Sequence, residues 1–167
     1  MKPALLIIDL QKAFHKDIAA RTMDEAVMVI NRAIPLFRES GLPVIWIQHI
    51  DEYDGALPGK PAFDFIEGLA EGKDELHIHK TYNNSFNKTA LADQLAAAGI
   101  DTVVLAGYCA EFCVIATYWG AKNLDLQPFV LRGGIASDIA RNIGFVEELT
   151  ATRGLAELEE LMRPGRG

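Results

Sequence analysis

The chain has 167 residues, half of them hydrophobic and 23% charged, which suits one domain with a substantial core and is short for two. Its formal net charge of −7 argues against a nucleic-acid surface, since phosphate contacts need clustered Lys and Arg, and gives no support for anionic membranes. No stretch approaches the roughly twenty apolar residues that cross a bilayer, and the run Ala4 to Ile8 is too short for a signal-peptide core, so a cytoplasmic protein with reduced thiols is expected.

ALLIIDL, Ala4 to Leu10, is a compact apolar run of the kind a strand buried on both faces requires. Thr22-Met23-Asp24-Glu25 reads as a capping box, with Thr22 as N-cap and Ala26, Ile30, Ala33 and Phe37 following at helical spacing. Gly41 is the expected stop, and Pro35 predicts a kink or an unwound last turn. PVIWIQH, Pro43 to His49, is a second strand. Asp51 to Gly72, rich in Gly, Pro and acids, predicts a long surface excursion, which inside a compact domain is more often functional than idle. ELHIHK, Glu75 to Lys80, alternates like a short strand, and Lys88 to Ala98 predicts a helix ending at Gly99. DTVVLAG, Asp101 to Gly107, is another buried strand, followed by a helix from about Cys113 to Asn123. QPFVLRG, Gln127 to Gly133, makes a further strand and the Glu- and Leu-rich C-terminal stretch a last helix. Helices alternating with short apolar strands indicate an α/β fold, three layers around a mainly parallel sheet, in a single domain over 1–167.

In such sheets ligands bind outside the carboxyl ends of the strands, which directs attention to Asp9, His49, Lys80 and the turn from Gly107 to Cys113. A carboxylate ending the run LLII is partly desolvated and either caps the chain or acts in a site. Lys80 shares its side-chain parity with Leu76 and Ile78, so it points inward unless it is an ordinary surface lysine. Cys113, near a helix start, would feel free N–H groups and a dipole that lower its pKa and hold an oxyanion. The competing reading makes Cys109 and Cys113 small buried hydrophobes. Their spacing is one residue longer than the C-x-x-C of redox proteins. Together, an acid, an ammonium and a thiol meet the needs of a nucleophile attacking a carbonyl.

Three segments in order, ALLIIDLQKAF (Ala4 to Phe14), HKTYNNSFNKTAL (His79 to Leu91) and GIDTVVLAGYCAEFCVIATYWGAKN (Gly99 to Asn123), resemble the isochorismatase-like cysteine hydrolase superfamily, which includes nicotinamidases and N-carbamoylsarcosine amidase. The resemblance implies Cys113 as nucleophile, Asp9 as general base and acid, and Lys80 as third member of a triad. It implies a cis peptide joining Tyr108 to Cys109, with the backbone N–H groups of Cys109 and Cys113 forming an oxyanion hole. Gln11, Phe14, His49, Tyr108 and Phe112 are the expected pocket residues. The implied reaction hydrolyses a C–N bond of a small amide or carbamoyl compound through a thioester, without a cofactor. Hydrolysis of another small molecule, or ligand binding without turnover, is the alternative.

The chain departs from metal-binding relatives, which carry Asp-x-His where it has Gln48-His49-Ile50-Asp51. His77 and His79 sit two apart on one strand face, a spacing zinc accepts, but no third ligand matches, so no metal is expected. Gly133-Gly134 stands where the family often has Asp-Ala after the last strand. A small-molecule substrate and a homo-oligomer are expected, with Tyr118 and Trp119 on an apolar helix serving either a subunit contact or the core.

Overall fold

A computed structural model of the chain describes residues 1–162; the expected domain end at Gly167 lies outside them. In chain order the elements are β1 (Pro3–Ile8), α1 (Asp17–Glu39), β2 (Val44–His49), β3 (Leu76–Lys80), α2 (Leu91–Ala97), β4 (Thr102–Tyr108), α3 (Ile115–Asn123), β5 (Gln127–Ala136), α4 (Arg141–Leu149), β6 (Thr152–Arg153) and α5 (Leu155–Met162). The strands form one six-stranded sheet in the order β3-β2-β1-β4-β5-β6, and every pairing is parallel.

The apolar run of β1 is continuous because both faces of the sheet are covered. On one face Leu5 and Ile7 belong to one buried cluster with Met23, Ile30, Ile34 and Phe37 of α1 and Leu158 of α5. On the other face Leu6 and Ile8 belong to one buried cluster with Leu91 and Leu95 of α2, Tyr118 of α3 and Val146 of α4. Every residue of β1 is buried, and each such Leu or Ile contributes about 1.5–3 kcal/mol by leaving water. The strand order reverses direction between β1 and β4, which opens a crevice at their carboxyl ends.

Four local expectations are corrected. α1 begins at Asp17, so Thr22 lies inside it and does not cap it. The Thr22 hydroxyl instead donates to the Ala19 and Ser137 carbonyls and accepts the Ser137 N–H, tying α1 to the end of β5. The helix also runs past Pro35 to Glu39, so its last turn is not unwound, and the buried Ala33, Ile34 and Phe37 flank the proline. β5 continues past Gly133 to Ala136: its register with β4 jumps from Leu105↔Val130 to Gly107↔Ile135, so Gly133 and Gly134 form a bulge within the strand. The C-terminal stretch holds two helices, α4 and α5, with β6 between them.

The excursion after β2 lies over the carboxyl ends of β1 and β2. Ile66 N–H donates to the Leu10 carbonyl, Lys12 N–H to the Asp64 carbonyl, and the Gln48 amide to the Phe63 carbonyl. The excursion's own Phe63, Phe65 and Ile66 are buried. Tyr118 is core at 4% exposure and its hydroxyl accepts the Ala151 N–H, whereas Trp119 is 48% exposed. Among the described residues, no helix is long and apolar enough to cross a membrane.

Candidate active site

Three strand ends deliver the titratable groups. Asp9 follows β1 in a left-handed backbone conformation, φ 54°, which swings its carboxylate off the strand path. Lys80 ends β3, next to His49 at the end of β2 in the parallel register. Cys113 sits in a wide turn, Ala110–Val114, that links β4 to α3; the Val114 N–H reaches back five residues to the Cys109 carbonyl. The peptide from Tyr108 to Cys109 is cis.

The ammonium of Lys80 is the hub. It donates to Asp9 Oδ2 at 2.6 Å, to His49 Nδ1 at 2.8 Å and to Cys113 Sγ at 3.3 Å. Lys80 and Asp9 are both at least 98% buried, as the inward parity of β3 requires. The second carboxylate oxygen, Asp9 Oδ1, is buried without a hydrogen-bond partner among the described residues. The sulfur also lies 3.7 Å from Asn83 Oδ1 on the loop after β3.

The electrostatics of the thiol correct one expectation. Burial first, and then the negative charge of Asp9, push the Cys113 thiol well above its ordinary value, and Lys80 only partly offsets them. The start of α3 does not win, because the sulfur is buried and faces a carboxylate. Cys109 is pushed up to about 12 by burial and by Glu111.

Of the expected pocket residues, Phe14 stacks on Tyr108 at 5.7 Å and meets the edge of His49 at 6.5 Å. Phe14 and Tyr108 also line a cavity of about 350 Å³ with Lys16, Asp54 and Asp138. Gln11 is fully buried and its amide clamps the backbone of His49, accepting the N–H at 2.7 Å and donating to the carbonyl at 3.0 Å. Its polar head therefore holds a neighbour in place. Phe112 is 56% exposed, and no ring pair among the described residues joins it to Phe14, His49 or Tyr108.

Other residues escaped sequence reasoning. Glu111 accepts hydrogen bonds from Ser137 and Asn142, which fastens the nucleophile turn to the end of β5 and the start of α4. The acceptor on the turn and the two donors, Ser137 and Asn142, lie far apart in the chain and share no sequence signal. His77 bonds the Glu75 carbonyl and Glu71, and His79 packs edge-on against Phe63.

The ligand atoms of Asp9, His49 and Cys113 lie within 4.8 Å of one another. Lys80 donates to all three, so a divalent ion bound among them would face its ammonium at contact range, and these residues do not fit a metal.

A six-stranded parallel sheet with a buried carboxylate, ammonium and thiol gathered at its switch point defines an α/β fold whose candidate site lies in that crevice. The Isochorismatase domain matches residues 3–138, and the chain belongs to that family. It is 34% identical over 139 residues to the isochorismatase family protein YrdC of Bacillus subtilis, covering 81% of this chain and 74% of that one. Maleamate amidohydrolase of Pseudomonas putida is 28% identical over 150 residues, 78% of this chain and 70% of its own. The solved structure of N-carbamoylsarcosine amidase from Thermoplasma acidophilum superposes with a TM-score of 0.79 at 27% identity, over 92% of this chain and 95% of that one. The protein is thus an isochorismatase-family hydrolase with amidohydrolase relatives.

Proposed function

We propose that the chain is a metal-independent cysteine hydrolase that cleaves a C–N bond of a small amide or carbamoyl compound, using Cys113, Asp9 and Lys80. The observation that carries this reading is the shared ammonium: Lys80 touches both the Asp9 carboxylate and the Cys113 sulfur inside the crevice. As the sulfur adds to the carbonyl carbon, its proton passes to Asp9, where Oδ1 has no other protein partner. The raised thiol keeps that proton until a substrate arrives, so transfer and attack are coupled. The backbone N–H groups of Cys109 and Cys113 receive the oxyanion. Asp9 then returns the proton to the leaving nitrogen, the C–N bond breaks, and a thioester remains on Cys113. Water gives a proton to Asp9 and adds to the thioester; the acid leaves and the proton goes back to sulfur. Lys80 balances the negative charge throughout.

Maleamate and N-carbamoylsarcosine, with a set of simple amides, form the first screen for ammonia release. Cys113→Ala is expected to abolish release from the accepted substrate while the circular dichroism spectrum stays native. Undiminished turnover by that variant would refute the thiol mechanism. Ligand binding without turnover is the second reading, favoured by the burial that raises the thiol; it predicts no ammonia release across the screen and no labelling of Cys113 by iodoacetamide.

A further inference from the structure

His49 has no part in the reaction as written, yet its ring meets the hub of the site. An ammonium offers three N–H donors and no acceptor. Lys80 directs them to Asp9, His49 and Cys113, so its capacity is fully used. Nδ1 of His49 must then be the acceptor, which places the imidazole proton on Nε2. The backbone of His49 cannot drift, because the Gln11 amide holds both its N–H and its carbonyl.

Resting on the catalytic reading above, we infer that His49 is a positioning residue: as the neutral Nε2–H tautomer it takes one N–H of Lys80 and holds the ammonium between the Asp9 carboxylate and the Cys113 sulfur. The groups that face it are Lys80 from β3, Asp9 from the end of β1, Cys113 from the turn before α3, and Asp51 from its own loop. A protonated ring would set two cations 2.8 Å apart and force Lys80 away. Burial, and next the charge of Lys80, hold the His49 pKa below the ordinary histidine range, in keeping with the acceptor role.

The test is a 15N-imidazole NMR titration of the full chain with iodoacetamide labelling of Cys113 as a second readout. At neutral pH the His49 ring is expected as the Nε2–H tautomer, protonating only below the ordinary range, and Lys80→Met is expected to move that midpoint upward. His49→Gln offers Lys80 a neutral oxygen and is expected to label within about twofold of the parent chain. His49→Leu offers no acceptor and is expected to label at least about tenfold more slowly, because the ammonium no longer stays beside the sulfur. An Nδ1–H tautomer, a charged ring at neutral pH, or equal labelling of both variants overturns the inference. The ring titration does not depend on turnover, so failure of the Cys113→Ala test and failure of this one are told apart.

Discussion

Asp9, Lys80 and Cys113 would be unremarkable on a surface; their chemistry follows from being sealed in one crevice. Removing one charge of the buried pair leaves the other uncompensated. Lys80→Met is therefore expected to destabilise the fold by about 3–5 kcal/mol in urea unfolding, while Asp9→Asn with Lys80→Met recovers much of that loss. Equal stability of the single and double variants would contradict the coupling. The inward aim of Lys80 was legible from its parity with Ile78, and Asp9 from its place at the end of β1. The raised thiol was not, because a helix start can be read locally whereas the burial of the sulfur and Asp9 come from distant segments. Gln11 was legible as a site neighbour but not as the clamp on His49, since that depends on the pairing of β1 with β2.

Among the elements, β4 and its junction with the nucleophile turn are the most tightly specified. Gly107 sits at φ 119°, and a Cβ there would collide with the Ile8 carbonyl of the neighbouring strand. Gly107→Ala is expected to cost about 2–4 kcal/mol and to slow labelling of Cys113, because β1 and β4 can no longer close together at the crevice. An unchanged melting temperature would argue against that close approach. The buried strands were readable as apolar runs because helices cover both faces. The start of α1 was not: Lys16 provides no side-chain cap, and a capping-box pattern at Thr22 falls on a residue recruited to Ser137 instead. The end of β5 is not legible for a related reason, since two glycines that normally announce a turn here build a bulge, beyond which the strand pairs on with β4 in a shifted register.

For the whole molecule, acid is the expected weakness, in two windows. The lowered pKa of His49 means the unfolded chain takes up a proton first, so stability is expected to fall as pH drops below the ordinary 6.5. Further down, burial works against ionisation of Glu75 and Glu111, but hydrogen bonds outweigh it: Arg38 and Trp46 hold Glu75 low, and Asn142 and Ser137 hold Glu111 low. Stability from these depressed carboxyls is present above the ordinary 4.5 and is lost as pH falls through their folded values. Melting scans from pH 8 to about 3 check both windows; His49→Gln should flatten the upper and Glu75→Gln the lower, the latter modestly because Arg38 is partly exposed. A scan that is level down to pH 4 in the parent chain would contradict the first window. The unspent oxygen of Asp9 also bears on inhibitor choice. A covalent blocker whose electrophilic carbon lies beside an N–H or O–H can satisfy that oxygen while capturing the sulfur, whereas one presenting only lone pairs there meets repulsion, so primary carboxamide warheads should outpace matching esters.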